Sequence, residues 1–141
     1  MKNFLFFGYG SIAKKHIKIL KKKIPKSRFY IIKKNPINNS DKNLILMKNL
    51  EFLKNFIFDA AFICSPVTSH FENINFIRNY VNVIFVEKPL VNDIKKFKKI
   101  YNIIKFKKTK IIVGYVFRFN KAFQFLKKEI KKKKYGKILN I

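Results

Sequence analysis

The sequence predicts an α/β fold: a doubly wound parallel sheet with helices on both faces. Three observations carry that reading. Short apolar runs alternate with segments of helical spacing along the chain. The segments between the runs are too long for hairpins, so the strands return by crossovers and lie parallel. Two of the four glycines, Gly8 and Gly10, stand within three positions, directly after the first apolar run.

The elements follow in order. NFLFF, residues 3–7, reads as a short buried strand. Ala13, Ile17, Leu20 and Ile24 then recur at steps of four, three and four, which is helical spacing, and Pro25 ends that helix. RFYII (28–32) is a second strand, followed by the turn-rich loop NPINNSDKN. A short helix is expected around residues 50–53. DAAFICS (59–65) reads as a third strand whose apolar run, residues 60–64, is continuous rather than alternating, as a strand buried on both faces should be. Ser69 and Glu72 stand in capping-box spacing and set a helix start near residue 70. NVIFVE (82–87) is a further strand. Asn92 or Asp93 opens a helix with Ile94, Phe97, Tyr101 and Ile104 on one face. KIIVGY (110–115) is another strand. Asn120 opens a last helix with Ala122, Phe123, Leu126 and Ile130 inward. Gly136 stops it, and KILNI begins one more strand. No internal repeat is present.

Composition bounds the function. The chain has 141 residues and a net charge of +26. Such a field attracts polyanions and anionic membranes. Yet Arg, which suits bidentate phosphate and base contacts, occurs only at Arg28, Arg78 and Arg118. Lys, Ile, Asn and Phe make up more than half of the chain, and all have codons built from A and T alone. The charge therefore reads as AT-rich coding, with the lysine runs as solvated helix faces, and specific nucleic-acid binding is set aside. The single cysteine, Cys64, excludes an internal disulfide and reads as a small buried hydrophobe. No apolar run reaches the ~18 residues that a membrane span needs. The opening imitates a secretion signal, but Gly8, Gly10 and Ser11 interrupt it and no A-x-A site follows. A cytoplasmic protein with no membrane partner is expected, and no metal site is assigned.

Strand, then GYGSIA, then helix is the dinucleotide-binding fingerprint of a Rossmann-like domain, with Ala13 at its third glycine position. Gly8 permits the tight turn. Gly10 lets a pyrophosphate approach the backbone. The first helical amides, at Ser11 and Ile12, then face the phosphates. The fingerprint calls for an acid about 20 residues on to bind the ribose 2′-hydroxyl. The second strand ends instead in Ile32, Lys33, Lys34 and Asn35. Two lysines suit a 2′-phosphate, so NADP is favoured over NAD.

Further on, AAFICSPVTSH, VIFVEKPL and GYVFRFNKAFQFLKKEI…GKILNI follow the glycine loop in order. Together with it they resemble the glucose–fructose oxidoreductase/inositol dehydrogenase/MocA family of NAD(P)-dependent sugar oxidoreductases. The E-K-P motif is the most specific part. The resemblance implies that Lys88 is the catalytic lysine beside the nicotinamide, with Pro89 fixing the turn, often through a cis bond. It implies that Ser65, Pro66 and His70 lie along the cofactor, His70 as a positioning or helix-start residue. Glu87 would hold a cofactor ribose hydroxyl or orient Lys88, or simply end the strand. His16 would be structural. Arg118 would reach substrate or cofactor, or brace a domain junction.

On this resemblance residues 1–116 form the NAD(P)-binding domain, and residues 117–141 begin an α+β substrate and oligomerisation domain whose remainder is absent. That domain would supply an acid–base Asp or His, yet no Asp follows Asp93 and both histidines precede the E-K-P motif. The sequence thus reads as a truncated product, a split subunit or the front of a longer protein. Three functions follow. One is hydride transfer between nicotinamide and a hydroxyl-bearing carbon of a sugar, nucleotide-sugar or cyclitol. Another is a non-catalytic nucleotide-binding subunit, as a homo-oligomer or beside a partner chain carrying the substrate domain. The third is a basic nucleic-acid or membrane-surface protein.

Overall fold

The computed structural model describes residues 1–33, 41–47, 53, 56–106, 109–133 and 135–137. Six strands form one sheet: β1 (Lys2–Phe7), β2 (Ser27–Ile32), β3 (Leu44–Met47), β4 (Ala60–Ile63), β5 (Val83–Glu87) and β6 (Lys110–Gly114). Their order is β3-β2-β1-β4-β5-β6, and every neighbouring pair is parallel. The helices are α1 (Ser11–Lys23), α2 (His70–Ile77), α3 (Ile94–Phe106) and α4 (Lys121–Lys131). The strand order reverses between β1 and β4. Chains leaving these neighbours at their carboxyl ends diverge, which opens a crevice there.

The pleat divides the core in two. Leu5, Phe7, Tyr30, Ala61, Ile63, Ile84 and Val86 point to one face, under Ile74 and Ile77 of α2 and Ile100 of α3. Phe4, Phe6, Phe29 and Ile31 point to the other, under Ala13 and Ile17 of α1. The second half is aromatic: the Phe6 and Phe62 rings stack at 4.6 Å, and those of Phe4 and Phe29 at 5.9 Å. Burial on both faces explains why β1 reads as a continuous apolar run.

Several elements differ from the expectation. β3 pairs with β2 over Leu44–Met47, a segment the sequence reading leaves unassigned. Four apolar residues without alternation or flanking glycine give no period to read. Ser69 makes no side-chain cap, because a 3₁₀ turn at Val67–Ser69 runs straight into α2 and holds Ser69 in helical backbone. Asp93 does cap α3, its Oδ1 accepting from the amides of Lys95 at 2.6 Å and Lys96 at 3.3 Å. Asn120 caps α4 in the same way, with the amides of Ala122 and Phe123. The turn after α4 is made by Lys133 at φ 53°, and Gly136 at φ 79° belongs to the bend beyond it.

The apolar stripes of α3 and α4 do not face inward. Ile94, Phe97, Tyr101 and Ile104 are exposed, and α3 is anchored instead by Ile100. In α4, Phe123, Leu126 and Ile130 are exposed, as are Phe117 and Phe119 in the preceding 3₁₀ turn, Val116–Phe119. Spacing gives a helix its apolar face, but the face is buried only where another element covers it. The expected helix near residues 50–53 and the expected last strand fall largely or wholly outside the described residues. Among the described residues, no helix is long and apolar enough to cross a membrane.

Candidate functional site

Each glycine of the opening loop has its own geometric reason. Gly8 adopts φ 95°, and a Cβ there would stand 2.9 Å from the Cys64 carbonyl oxygen and 3.1 Å from the Ser65 nitrogen. The turn after β1 is thus pressed against the backbone leaving β4. The Gly8 amide donates to the Ile32 carbonyl at 2.9 Å, and the Cys64 amide to Phe7. Gly10 is different. Its φ is −80°, and a Cβ would meet nothing within 4 Å. It is the N-cap of α1 with no side-chain cap, so the helix presents its first amides unmasked by side chains. Ala13 is fully buried on the aromatic half of the core, where a larger residue would push α1 off the sheet.

A cleft of about 780 Å³ opens at the switch point. Gly8, Tyr9 and Gly10 form one wall, Ile32 and Lys33 the end of β2, and Cys64, Ser65 and Pro66 the opposite wall. Lys33 is exposed on the rim. Lys34 lies outside the described residues. Ser11 is exposed at the helix start, with Ile12 half-buried beside it. Ser69 and Asn73 complete the lining, and the Asn73 amide donates to Ser65 Oγ at 2.9 Å. The sequence assigns no role to Tyr9, a variable position of the glycine fingerprint, or to Asn73, which belongs to no spaced motif. Asn73 joins the lining only because α2 is placed beside β4.

His70 does not open on this cleft. It is 1% exposed, and both ring nitrogens face carbonyl oxygens. Nε2 lies 2.9 Å from the Ser65 oxygen and Nδ1 2.9 Å from the Pro89 oxygen. With a proton on one nitrogen the ring ties one loop to α2; with a proton on each it ties both. His70→Phe takes the ring's N–H donor from a part-buried loop carbonyl, at about 1–3 kcal/mol. We expect urea unfolding to register a loss of roughly 1–3 kcal/mol; a loss below about 0.5 kcal/mol would show that the ring is not needed as a tie.

The Lys88–Pro89 bond is cis, and both residues are exposed in the bend that follows β5. Glu87, one residue earlier, points to the opposite side of the strand from Val86. There its Oε1 meets His16 Nε2 at 2.7 Å, so the carboxylate is tied to α1. The His16 ring packs against both Phe62 and Phe85, with centroids 5.7 and 5.0 Å away. Burial, and next to it the charge of Glu87, push the Cys64 thiol up to about 12. This thiol is poorly ionised at neutral pH and is no activated nucleophile. Arg118 stands exposed in the 3₁₀ turn before α4 and is not among the residues lining the cleft.

Strand order, switch point and glycine turn together define a Rossmann-type α/β domain. The family model described as an oxidoreductase family with an NAD-binding Rossmann fold matches residues 2–115. The chain belongs to this family, the Gfo/Idh/MocA oxidoreductases. No curated protein matches it significantly. Among solved structures it is similar to the WlbA dehydrogenase from Bordetella pertussis in complex with NADH and UDP-GlcNAcA, at 21% identity and TM-score 0.84 over 98% of this chain and 44% of that one. It is also similar to scyllo-inositol dehydrogenase from Lactobacillus casei with bound NAD(H) and scyllo-inositol, at 22% identity and TM-score 0.80, covering 98% and 43%. A further likeness is to myo-inositol 2-dehydrogenase from Lactobacillus plantarum, at 22% identity and TM-score 0.80, covering 97% and 43%. The chain thus spans less than half the length of these proteins.

Proposed function

We propose that the cleft binds NADP(H), with NAD(H) as the alternative, and forms the nicotinamide half of an oxidoreductase acting on a hydroxyl-bearing carbon of a sugar, nucleotide-sugar or cyclitol. The observation that carries this is Gly10: a Cβ would enter open space at the mouth of uncapped helical amides. Those amides at Ser11 and Ile12 suit a pyrophosphate. Lys33 would meet a 2′-phosphate at the rim. Ser65 and Pro66 form the wall against which the rest of the dinucleotide lies. The nicotinamide supplies or accepts the hydride when bound. Lys88, at the carboxyl end of β5, would donate a hydrogen bond to the substrate oxygen and stabilise charge developing there. The substrate class rests on the ligands of the similar structures, a nucleotide-sugar acid in one and a cyclitol in another. The substrate-side domain would come from a longer form of this chain or from a partner, as part of a homo-oligomer or a mixed assembly. Arg118 would lie at that junction.

Fluorescence titration with NADPH and NADH tests the reading. Gly10→Asp sets a carboxylate where the pyrophosphate would stand and should weaken binding by at least about 100-fold, since like charges about 4 Å apart repel by several kcal/mol near a surface. Lys33→Glu should move the preference toward NADH. Unchanged affinity in Gly10→Asp would remove the cofactor from this loop.

A further inference from the structure

The chain is poor in metal-binding side chains, with two His, one Cys and seven Asp or Glu in 141 residues. One of each gathers at a single point. His16 comes from α1, Cys64 follows β4, and Glu87 ends β5. Their ligand atoms, a ring nitrogen, the sulfur and a carboxylate oxygen, all lie within 4.8 Å of one another. The pairing of His16 with Glu87 bridges 71 positions of sequence, so the fold alone creates the cluster. None of the three is sealed: His16 and Glu87 side chains are 23% and 19% exposed, and Cys64 is half-buried.

We propose that His16, Cys64 and Glu87 form a binding site for a thiophilic divalent cation of the zinc type. Imidazole, thiolate and carboxylate are the donors zinc takes. Around a tetrahedral zinc ion with bonds of about 2.0–2.3 Å, donor atoms stand roughly 3.3–3.8 Å apart. The 2.7 Å His16–Glu87 contact must widen slightly, and the sulfur lies within reach. The fourth position is left for water. Phe62 and Phe85 already fix the plane of the His16 ring, which limits the ordering that binding requires. Binding releases the Cys64 proton, and any proton shared by His16 and Glu87, to solvent; no electron moves. A net charge of +26 repels cations in general, so an ion held here is held by its donors and not by the bulk field. Cys64 also lines the dinucleotide cleft, which places the ion beside the cofactor wall.

The test is titration of the untagged protein with Co²⁺ followed by displacement with Zn²⁺. The expected result is one equivalent bound with a thiolate-to-cobalt charge-transfer band and the visible spectrum of tetrahedral cobalt. Cys64→Ser should abolish the band, and His16→Gln should weaken binding by at least about tenfold, since even outer partners of metal ligands are worth that much. Circular dichroism of each variant separates lost binding from lost fold. If Cys64→Ser is not folded, His16→Gln alone decides. No band up to millimolar cobalt, or a site that survives substitution in a folded variant, would overturn the assignment. Cofactor titration does not enter this readout, so failure here leaves the proposed function standing, and the reverse also holds.

Discussion

Gly8→Ala should cost about 2–5 kcal/mol of stability, the largest loss we expect from any single methyl group in this chain. Two effects add. A non-glycine residue in the left-handed region costs roughly 1–2 kcal/mol. A Cβ placed 2.9 Å from the Cys64 carbonyl oxygen must push backbone, not a flexible side chain, and overpacking of this kind costs typically ~1–3 kcal/mol. β1 and β4 are the central pair of the sheet, so the push is delivered where the fold is least able to yield. Gly10→Ala is the internal control. At φ −80° with open space around it, an alanine there should leave stability within about 0.5 kcal/mol. Urea unfolding of both variants checks the pair. Equal losses at the two positions would contradict the separate roles assigned to them.

Lys88→Met should lower kcat by about 10²–10⁴-fold in a polypeptide that also carries the substrate-side domain, the range found for removal of a positioned proton-transfer group. Cofactor affinity should stay close to that of the parent, because the exposed turn after β5 lies outside the lining of the cleft. Lys88→Arg should rescue little: the guanidinium keeps its proton at any accessible pH and its planar fork points differently. Steady-state kinetics with separate kcat and KM decide the matter. A fall of less than tenfold would leave Lys88 as a residue of the turn and no more.

The parts of the fold that could be read early are those where local and global signals agree. β1, Gly8, Gly10 and α1 form one continuous unit, so spacing and turn chemistry both register in the sequence. Asn120 was legible for the same reason, since a cap is a local contact, and the α3 cap was narrowed to Asn92 or Asp93. β3 was not, because four apolar residues carry no period. The outward turn of Phe123, Leu126 and Ile130 was not, because a hydrophobic stripe does not say what lies against it. In the site, Lys33 follows from its place at the end of the second strand, whereas Ser65 follows only from the family resemblance. The His16–Cys64–Glu87 cluster and the two carbonyl contacts of His70 depend on how β4, β5 and two helices are registered in space, which no short window of sequence contains.

The uncovered aromatic rim has a consequence for how the polypeptide behaves in solution. Phe119 is 79% exposed, Phe125 is exposed as well, and the exposed rings of Phe117 and Phe123 pack against each other at 4.9 Å. Two forces of different range act between neighbouring molecules. Lysine repulsion is long-ranged in dilute buffer but reaches only about 8 Å at physiological ionic strength. Attraction between aromatic faces is short-ranged and survives added salt. Wherever no other domain covers this face, added electrolyte is therefore expected to shift the balance from mutual avoidance toward adhesion.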